Sequence, residues 1–487
     1  MRIEQDVSVS STATDSAGTS GATSSRGSRL ASIAVASALF MEFLDSTALS
    51  TALPTLSVAF GTDPVHLKLA LTSYILALAV LAPASGWIAD RFGPRRVFMT
   101  AMVVFLVGSM LCGLSRSLAQ LVVFRTLQGL GGALMTPVGR LIVVNSAPRE
   151  KLVAAMSWFT MPALVGPLLG PPLAGFILGV ADWPWIFFIN VPVGVLGMWA
   201  VARFVPPLHQ PDPGPFDTKG FALAVVAITA LMGTAETVGI GLVPGGVQAG
   251  IALVAAGALV AYVRHALRTP RPVLDVRLLR VPTFRASMVG GALVRIGLGA
   301  TPFLLPLLFQ VGLGWGPLEA GLVTIGTGLG AFACKPVAPA LIRRVGFRQT
   351  LIASNLLTAA LTAVPAFFRA GTPIPLIIGM LVSSGFMRSL QFTATNTVAY
   401  ADIPREAVSN ASTMAVVTQQ MALSVGISFG GLMLHVARGG GDVRLTPDRF
   451  LLPFIAIGVV SSLAGPLFRR LPPDAGAHIG GRTVARG

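Results

Sequence analysis

Charge is what this sequence has least of. Asp, Glu, Lys and Arg make up 11% of its 487 residues and hydrophobic residues 53%, with a mean hydropathy of +0.77. A soluble chain carries roughly 25% charged residues to wet its surface, so most of this surface faces a bilayer. Cysteine is nearly absent. Cys112 and Cys334 both lie within apolar runs, where they read as small core hydrophobes, and no disulfide framework follows. None of the four lysines, Lys68, Lys151, Lys219 and Lys335, follows a glycine, which excludes the phosphate loop of an ATP-driven pump within this chain. The five histidines, His66, His209, His265, His435 and His478, include no i,i+4 pair, against a helical metal site. No cofactor and no metal are expected. Gly326-x-Gly328-x-Gly330 has the look of a nucleotide fingerprint, but it lies inside an apolar run with no strand before it and reads as helix packing.

Acidic residues are the scarcer charge, 19 against 35 basic ones, for a net +16. The basic residues are scattered through short loops rather than gathered on one exposed face, which argues against nucleic acid as a partner.

What the chain has is apolar runs, fourteen of them. At about 20 residues per spanning helix, they would use about 280 residues and leave about 200 for loops and tails. Residues 1–29 are rich in Ser, Thr, Gly and Ala and read as a disordered tail. The first run starts at Leu30 and is too long for a signal peptide, so it is expected to remain as a membrane helix. Six runs fill 30–204. A polar stretch from Pro206 to Lys219, two further runs and a basic linker fill 205–283, and six more runs fill 284–470 before a tail at 471–487. The chain is thus expected to be an all-α polytopic membrane protein of two six-helix bundles with a central two-helix insert.

Charge fixes the orientation. With the N-terminus inside, 24 basic residues fall in cytoplasmic loops and tails. Five, Arg116, Arg369, Arg438, Arg444 and Arg449, fall outside, with Lys68 near the outer end of the second helix. That asymmetry places both termini in the cytoplasm. The halves also echo each other. Pro148-Arg149-Glu150 is matched by Pro404-Arg405-Glu406, and Arg91-Phe-Gly93-Pro-Arg95 by Arg344-Val-Gly346-Phe-Arg348, at offsets of 256 and 253 residues.

Several segments carry a specific pattern. Between the second and third helices runs Gly86-Trp-Ile-Ala-Asp90-Arg91-Phe-Gly93-Pro-Arg95-Arg96. Here a carboxylate sits one turn after a glycine suited to close packing, and a cationic loop follows. The fourth helix has Arg125-Thr-Leu-Gln128-Gly129-Leu-Gly131-Gly132. The fifth has Gly166-Pro-Leu-Leu-Gly170-Pro171-Pro-Leu-Ala-Gly175, a flat, bendable face. The first helix has Leu44-Asp45-Ser-Thr47, and the sixth Trp183-Pro-Trp-Ile-Phe-Phe-Ile-Asn190-Val-Pro192. In this order the motifs resemble those of the major facilitator superfamily and its fourteen-helix branch of drug:proton antiporters. The run Ala133-Leu-Met-Thr-Pro-Val-Gly-Arg140 is similar to MdtD-type multidrug exporters within that branch. Pro184 and Ala174 depart from the pattern, standing where the family often has Arg and Gly.

The resemblance implies the major facilitator fold, a latch on the cytoplasmic face at Gly86, Asp90, Arg91, Gly93, Arg95 and Arg96, proton coupling through Arg125, and an antiporter hinge at Gly166, Gly170, Pro171 and Gly175. The residues themselves argue in the same direction. Asp45 sits near the middle of its run, with Glu42, an accessory proton-coupling site or a polar cavity wall, one turn earlier on the same face. A carboxylate at the bilayer centre costs about 2.5–3.5 kcal/mol even on lenient insertion scales, so it should face a cavity, where taking up a proton removes the cost. Arg125 is too deep to reach the interface, and its distance to Asp45 can switch proton affinity between states. Helix-packing hydrogen bonds are the alternative use of both residues.

The second half is basic at depth, with Arg295 and Arg388, while Lys335 is close enough to its helix end to snorkel. Gln128, Asn190, Gln391 and Gln419 join the two arginines as candidates for a substrate cavity. A cavity with more guanidinium than carboxylate suits an anion or weak acid better than a cationic drug.

The expected function is proton-coupled export of small amphipathic compounds, drugs or organic acids, by alternating access in a bacterial inner membrane. The chain is expected to act as a monomer whose partners are substrate, protons and lipid, a periplasmic adaptor being left open. One proton crossing about one pH unit and about 100 mV releases about 1.4 plus 2.3 kcal/mol, enough for a ratio of a few hundred. A uniporter or symporter of the same fold is the alternative. A membrane sensor or enzyme would need a soluble domain or catalytic cluster that the sequence does not display.

Overall fold

The computed structural model describes residues 17–146, 155–156, 158–159, 161–206, 214–238, 243–439 and 445–476. Pro148-Arg149-Glu150 of the repeat, Lys151, Arg444, Arg482 and Arg486 lie outside the described residues. Among the described residues there is helix and no strand.

The helices are α1 (Ala17–Phe60), α2 (Lys68–Phe92), α3 (Pro94–Gly113), α4 (Leu118–Ser146), α5 (Pro162–Val180), α6 (Trp185–Phe204), α7 (Thr218–Thr237), α8 (Gly245–Arg268), α9 (Pro282–Gly312), α10 (Pro317–Val345), α11 (Phe347–Phe367), α12 (Ile374–Ala399), α13 (Val408–Ala437) and α14 (Pro447–Arg469). Among the described residues thirteen are long and apolar enough to cross a bilayer, and α5 holds a shorter apolar stretch, Val165–Val180. The first helix differs from its expected start: it begins at Ala17 rather than Leu30. Residues 17–29 contain no proline, and extending an existing helix costs far less than nucleating one.

Proline at the first turn starts α3, α5, α9 and α10, where its missing N–H is no loss. Gly93 ends α2 and opens α3 at φ +88°. Gly346, 253 residues later, ends α10 and opens α11 at φ +89°. An L side chain is strained at that φ, so both halves need glycine at the same bend.

Packing repeats in the same way. In the first half α1 packs on α5 and α6, α4 on α2 and α3, and α3 on α6. In the second, α9 packs on α13 and α14, α12 on α10 and α11, and α11 on α14. Adding eight to each helix number of the first set gives the second, so the halves are related by a pseudo-two-fold. The same operation exchanges the two largest contacts between halves, α5 with α10 and α2 with α13. The insert breaks the symmetry. Its α7 packs on α8, α2 and α13, while α8 has 11% of its apolar window buried, against 72% for α9, and therefore lies at the periphery.

The bundle has a tail end, where residues 30, 204 and 469 lie, and a far end, where α1 turns into α2. One apolar core spans both halves at the far end and includes Leu53 and Leu56 of α1, Leu71 of α2, Phe303 and Leu307 of α9, Leu434 of α13 and Phe454 of α14. Toward the tail end there are two separate cores. One holds Val35, Phe98 and Ile142, and the other Val294, Leu351 and Phe468. The halves are thus joined at the far end and apart at the tail end.

Candidate functional site

Asp45 is the centre of a buried polar network built by five helices of the first half. Arg125 Nη1 donates to Asp45 Oδ2 at 2.6 Å, while Gln128 Nε2 and Asn190 Nδ2 donate to Oδ1 at 3.0 and 2.8 Å. Each side is fixed in turn. Arg125 also donates to Gln128 Oε1 at 2.7 Å and, through Nε, to the Ala70 carbonyl at 3.3 Å, and its guanidinium lies 4.5 Å over the Tyr74 ring. Asn190 reaches Ser109 Oγ at 3.0 Å, and Ser109 donates to the Phe187 carbonyl at 2.9 Å. Asp45 and Arg125 are each 1% exposed. A buried carboxylate is tolerable only when paired and hydrogen-bonded, and this one is both.

One turn earlier on α1, Glu42 accepts a hydrogen bond from Thr136 Oγ1 at 3.2 Å and is also buried. The hydroxyl of Tyr74, whose ring lies under the Arg125 guanidinium, is buried with no hydrogen-bond partner among the described residues. Gly132 leaves room for it, since a Cβ there would come within 2.7 Å of that oxygen. Gln128 and Asn190, candidates for substrate contact on sequence, are turned toward Asp45 and are 0% and 1% exposed.

The loop after α2 has a different state. Asp90 is half-buried and makes no hydrogen bond or ion pair among the described residues. Gly86 faces open space, with nothing within 4 Å of an added Cβ. The close packing expected for it is absent here, because the halves are apart at this end. Arg95 donates to the Ala202 carbonyl near the end of α6, a helix C-terminus that favours a cation. Arg91 and Arg96 are exposed, and Gly93 is the bend described above.

On α5, small residues bring three helices together. A Cβ on Gly166 would meet Phe43 Cβ of α1 at 2.7 Å, and one on Gly170 would collide with Thr47. On the other side, a Cβ on Gly175 would come within 2.5 Å of the Pro317 carbonyl of α10, and one on Gly321 of α10 within 2.5 Å of the Pro171 carbonyl. The expected hinge face is therefore also a contact between halves.

In the second half, Arg295 of α9 is 5% exposed. Its Nη2 donates to Asn396 Oδ1 at 2.9 Å and its guanidinium lies 5.6 Å over Phe392, while Nε and Nη1 are buried without a partner among the described residues. Arg388 keeps some accessible surface deep in the bundle, with a long 3.5 Å contact to the Leu298 carbonyl. Gln391 accepts from Ser354 of α11 and lines a small cavity together with Arg295, and Gln419 is half-buried. From residue 286 to residue 401 the only acidic residue is Glu319, exposed at the far end of α10.

The sequence model of the Major Facilitator Superfamily matches residues 35–274 and 287–485. The chain belongs to the Major Facilitator Superfamily. Over 449 residues, 90% of this chain and 95% of the relative, it is 38% identical to "Putative multidrug resistance protein MdtD" of Pectobacterium atrosepticum. The proteins of that name in Escherichia coli and Salmonella heidelberg are each 36% identical, over 91% and 90% of this chain and 95% and 94% of their own lengths. Among solved structures, the human organic anion transporter MFSD10 (TETRAN) matches with a TM-score of 0.58 over 91% of this chain and 99% of that one, at 15% identity. That likeness concerns the fold. The chain is a multi-pass membrane protein of a transporter superfamily.

Within this Major Facilitator Superfamily chain, two functional candidates went unread in the sequence. Lys68 of α2 and Glu236 of α7 meet in a buried pair, with Nζ 3.4 Å from Oε2. The available signal was that Lys68 is a cation at the sparsely charged far end and Glu236 an acid near the end of an apolar run. Their 168-residue separation hid the pairing. Tyr74 and Ser109 carried no signal beyond being polar groups in apolar helices.

Proposed function

We propose that this protein is a proton-coupled antiporter that exports small amphipathic compounds across a bacterial inner membrane by alternating access, acting as a monomer with both tails in the cytoplasm. The observation that carries the reading is the sealed Asp45–Arg125 pair. An arginine stays charged at all accessible pH values, so protonating Asp45 turns an ion pair into a cation beside a neutral acid and removes the attraction that holds α1 to α4. Gln128 and Asn190 keep the carboxyl oriented in both forms, since an amide N–H donates to either.

Under this orientation the tail end is cytoplasmic, and the structure is closed to the outside and parted toward the cytoplasm. Asp90, free of partners in this state, closes the cytoplasmic face in the opposite one, where Gly86 gains its neighbour. The glycine face of α5, held against α1 and α10, is where the halves rock. Substrate is taken up between the halves, where Arg388 and Arg295 supply positive charge that no carboxylate of the second half offsets, so an organic acid is favoured over a lipophilic cation.

A pH-jump assay on purified protein tests the exchange. Substrate addition releases protons if export is coupled to proton entry, and causes no release in a uniporter. Dissociation constants measured with both carboxylate and cationic probes test the charge preference. Micromolar binding of lipophilic cations with none of organic acids would overturn it.

A further inference from the structure

The insert helix α7 is packed on both halves, against α2 of the first and α13 of the second, and at the far end it joins a buried polar cluster. Lys68 opens α2, is 0% exposed, and runs its stem past Gly431 of α13, where an added Cβ would come within 2.9 Å of Lys68 Cδ. Its ammonium ends at the last turn of α7, where Nζ donates to the Glu236 carbonyl at 3.1 Å and stands 3.4 Å from Oε2. The other carboxylate oxygen, Oε1, is reached by Ser428 Oγ of α13 at 2.5 Å. Below this cluster α7 lays Ile228 and Met232 against Ala79 and Ala82 of α2 and Val417 of α13. The insert helix thus lies along the seam between the halves.

The pseudo-two-fold makes the contrast clear. At the symmetry-related seam, α5 against α10, the backbones meet directly through Gly175 and Gly321. At the α2–α13 seam a lysine is buried, and a buried cation left alone is strongly unfavourable. Its counter-charge comes from neither half but from the insert. When the far end opens, α2 and α13 part, and Glu236 can follow only one of them. It is tied to α2 by an ion pair and a backbone hydrogen bond, and to α13 by one hydroxyl that also reaches the Ser424 carbonyl at 2.9 Å.

We propose that Lys68, Glu236 and Ser428 form a far-end clasp in which the insert helix α7 rides with the first half and releases α13 at Ser428 each time that end opens. Lys68 and Glu236 are then positioning residues of the transport cycle. The inference rests on the alternating-access reading above.

Electron–electron distances between spin labels test it on the full-length protein. Leu231 of α7, Met110 of α3 and Val436 of α13 are exposed at 39%, 44% and 52%, and the native Cys112 and Cys334 are both buried. The account expects the Leu231–Met110 distance to stay constant while Leu231–Val436 and Met110–Val436 change together between pH 5.5 and 8. Ser428→Ala, which removes only the contact that breaks, raises the open-to-closed ratio about tenfold, the size of a hydrogen bond to a charged group. Lys68→Met/Glu236→Gln, neutral on both sides, broadens the Leu231–Met110 distribution. A constant Leu231–Val436 distance, an unchanged ratio in Ser428→Ala, or a sharp Leu231–Met110 distance in the double variant overturns the clasp and leaves alternating access standing. A Met110–Val436 distance that never varies in the wild type overturns both.

Discussion

Arg125 and Asp45 stand 2.6 Å apart, each 1% exposed, and among the described residues each is the other's only opposite charge in contact. Removing one partner of such a pair leaves a buried charge uncompensated, which costs about 3–5 kcal/mol, whereas removing both is far milder. Asp45→Asn should therefore lower the unfolding temperature in detergent more than Asp45→Asn/Arg125→Gln does. A double-mutant cycle on thermal stability checks this. A loss in the double variant equal to the sum of the two single losses would show that the two side chains do not depend on each other.

Gly175 and Gly321 set how closely α5 and α10 approach. A valine at Gly175 would drive a methyl into the Pro317 carbonyl, now 2.5 Å from where a Cβ would stand. Overpacking of this kind costs about 1–3 kcal/mol. Here the strain falls only in the state joined at the far end. Gly175→Val should thus raise labelling of a cysteine placed at Leu318 by a membrane-impermeant reagent, and Gly179→Val, which meets nothing within 4 Å, should not.

Much of this is legible in the sequence. The all-helical membrane fold could be read because a spanning segment must be long and apolar, and the repeat at Gly93 and Gly346 could be found because both halves carry glycine in the same basic loop. The pairing of Asp45 with Arg125 was within reach for a similar reason, since few charges lie at depth and buried charges seek one another. What sequence depth does not give is facing. Gln128 reads as a cavity residue, yet its amide is turned to Asp45. Nor does it give the docking place of an inserted helix, and Lys68 and Glu236, 168 residues apart, meet only in the fold.

Asp90 has no partner among the described residues in this conformation. Asp90→Asn should leave thermal stability of this state within about 0.5 kcal/mol, as for a surface substitution away from special features, yet reduce transport several-fold at equal expression by weakening the opposite state. Transport at wild-type rate would remove Asp90 from the latch.

Asp217 caps α7, accepting from Gly220 N at 2.9 Å, and pairs with His265 Nε2 of α8 at 2.8 Å. Burial works against its charge, but the N–H of Gly220, His265 and the N–H of Val273 outweigh it and hold the carboxyl below its ordinary value. Such a group stabilises the fold above the ordinary carboxylate range, and that stabilisation fades as pH falls through the lowered value. The stability difference between wild type and Asp217→Ala should be about 1 kcal/mol or more at neutral pH and should vanish in strong acid. Thermal scans of both proteins across pH check this. A difference that grows as pH falls would contradict the sign.

The central claim is that a proton on Asp45 drives export. Its most direct test is substrate movement in proteoliposomes under an imposed proton gradient, comparing wild type with Asp45→Asn and screening carboxylic acids beside cationic dyes. The account predicts uphill transport by the wild type that collapses when the gradient is dissipated, and none by Asp45→Asn even though the variant still binds substrate. Gradient-driven accumulation by Asp45→Asn at the wild-type rate would contradict it.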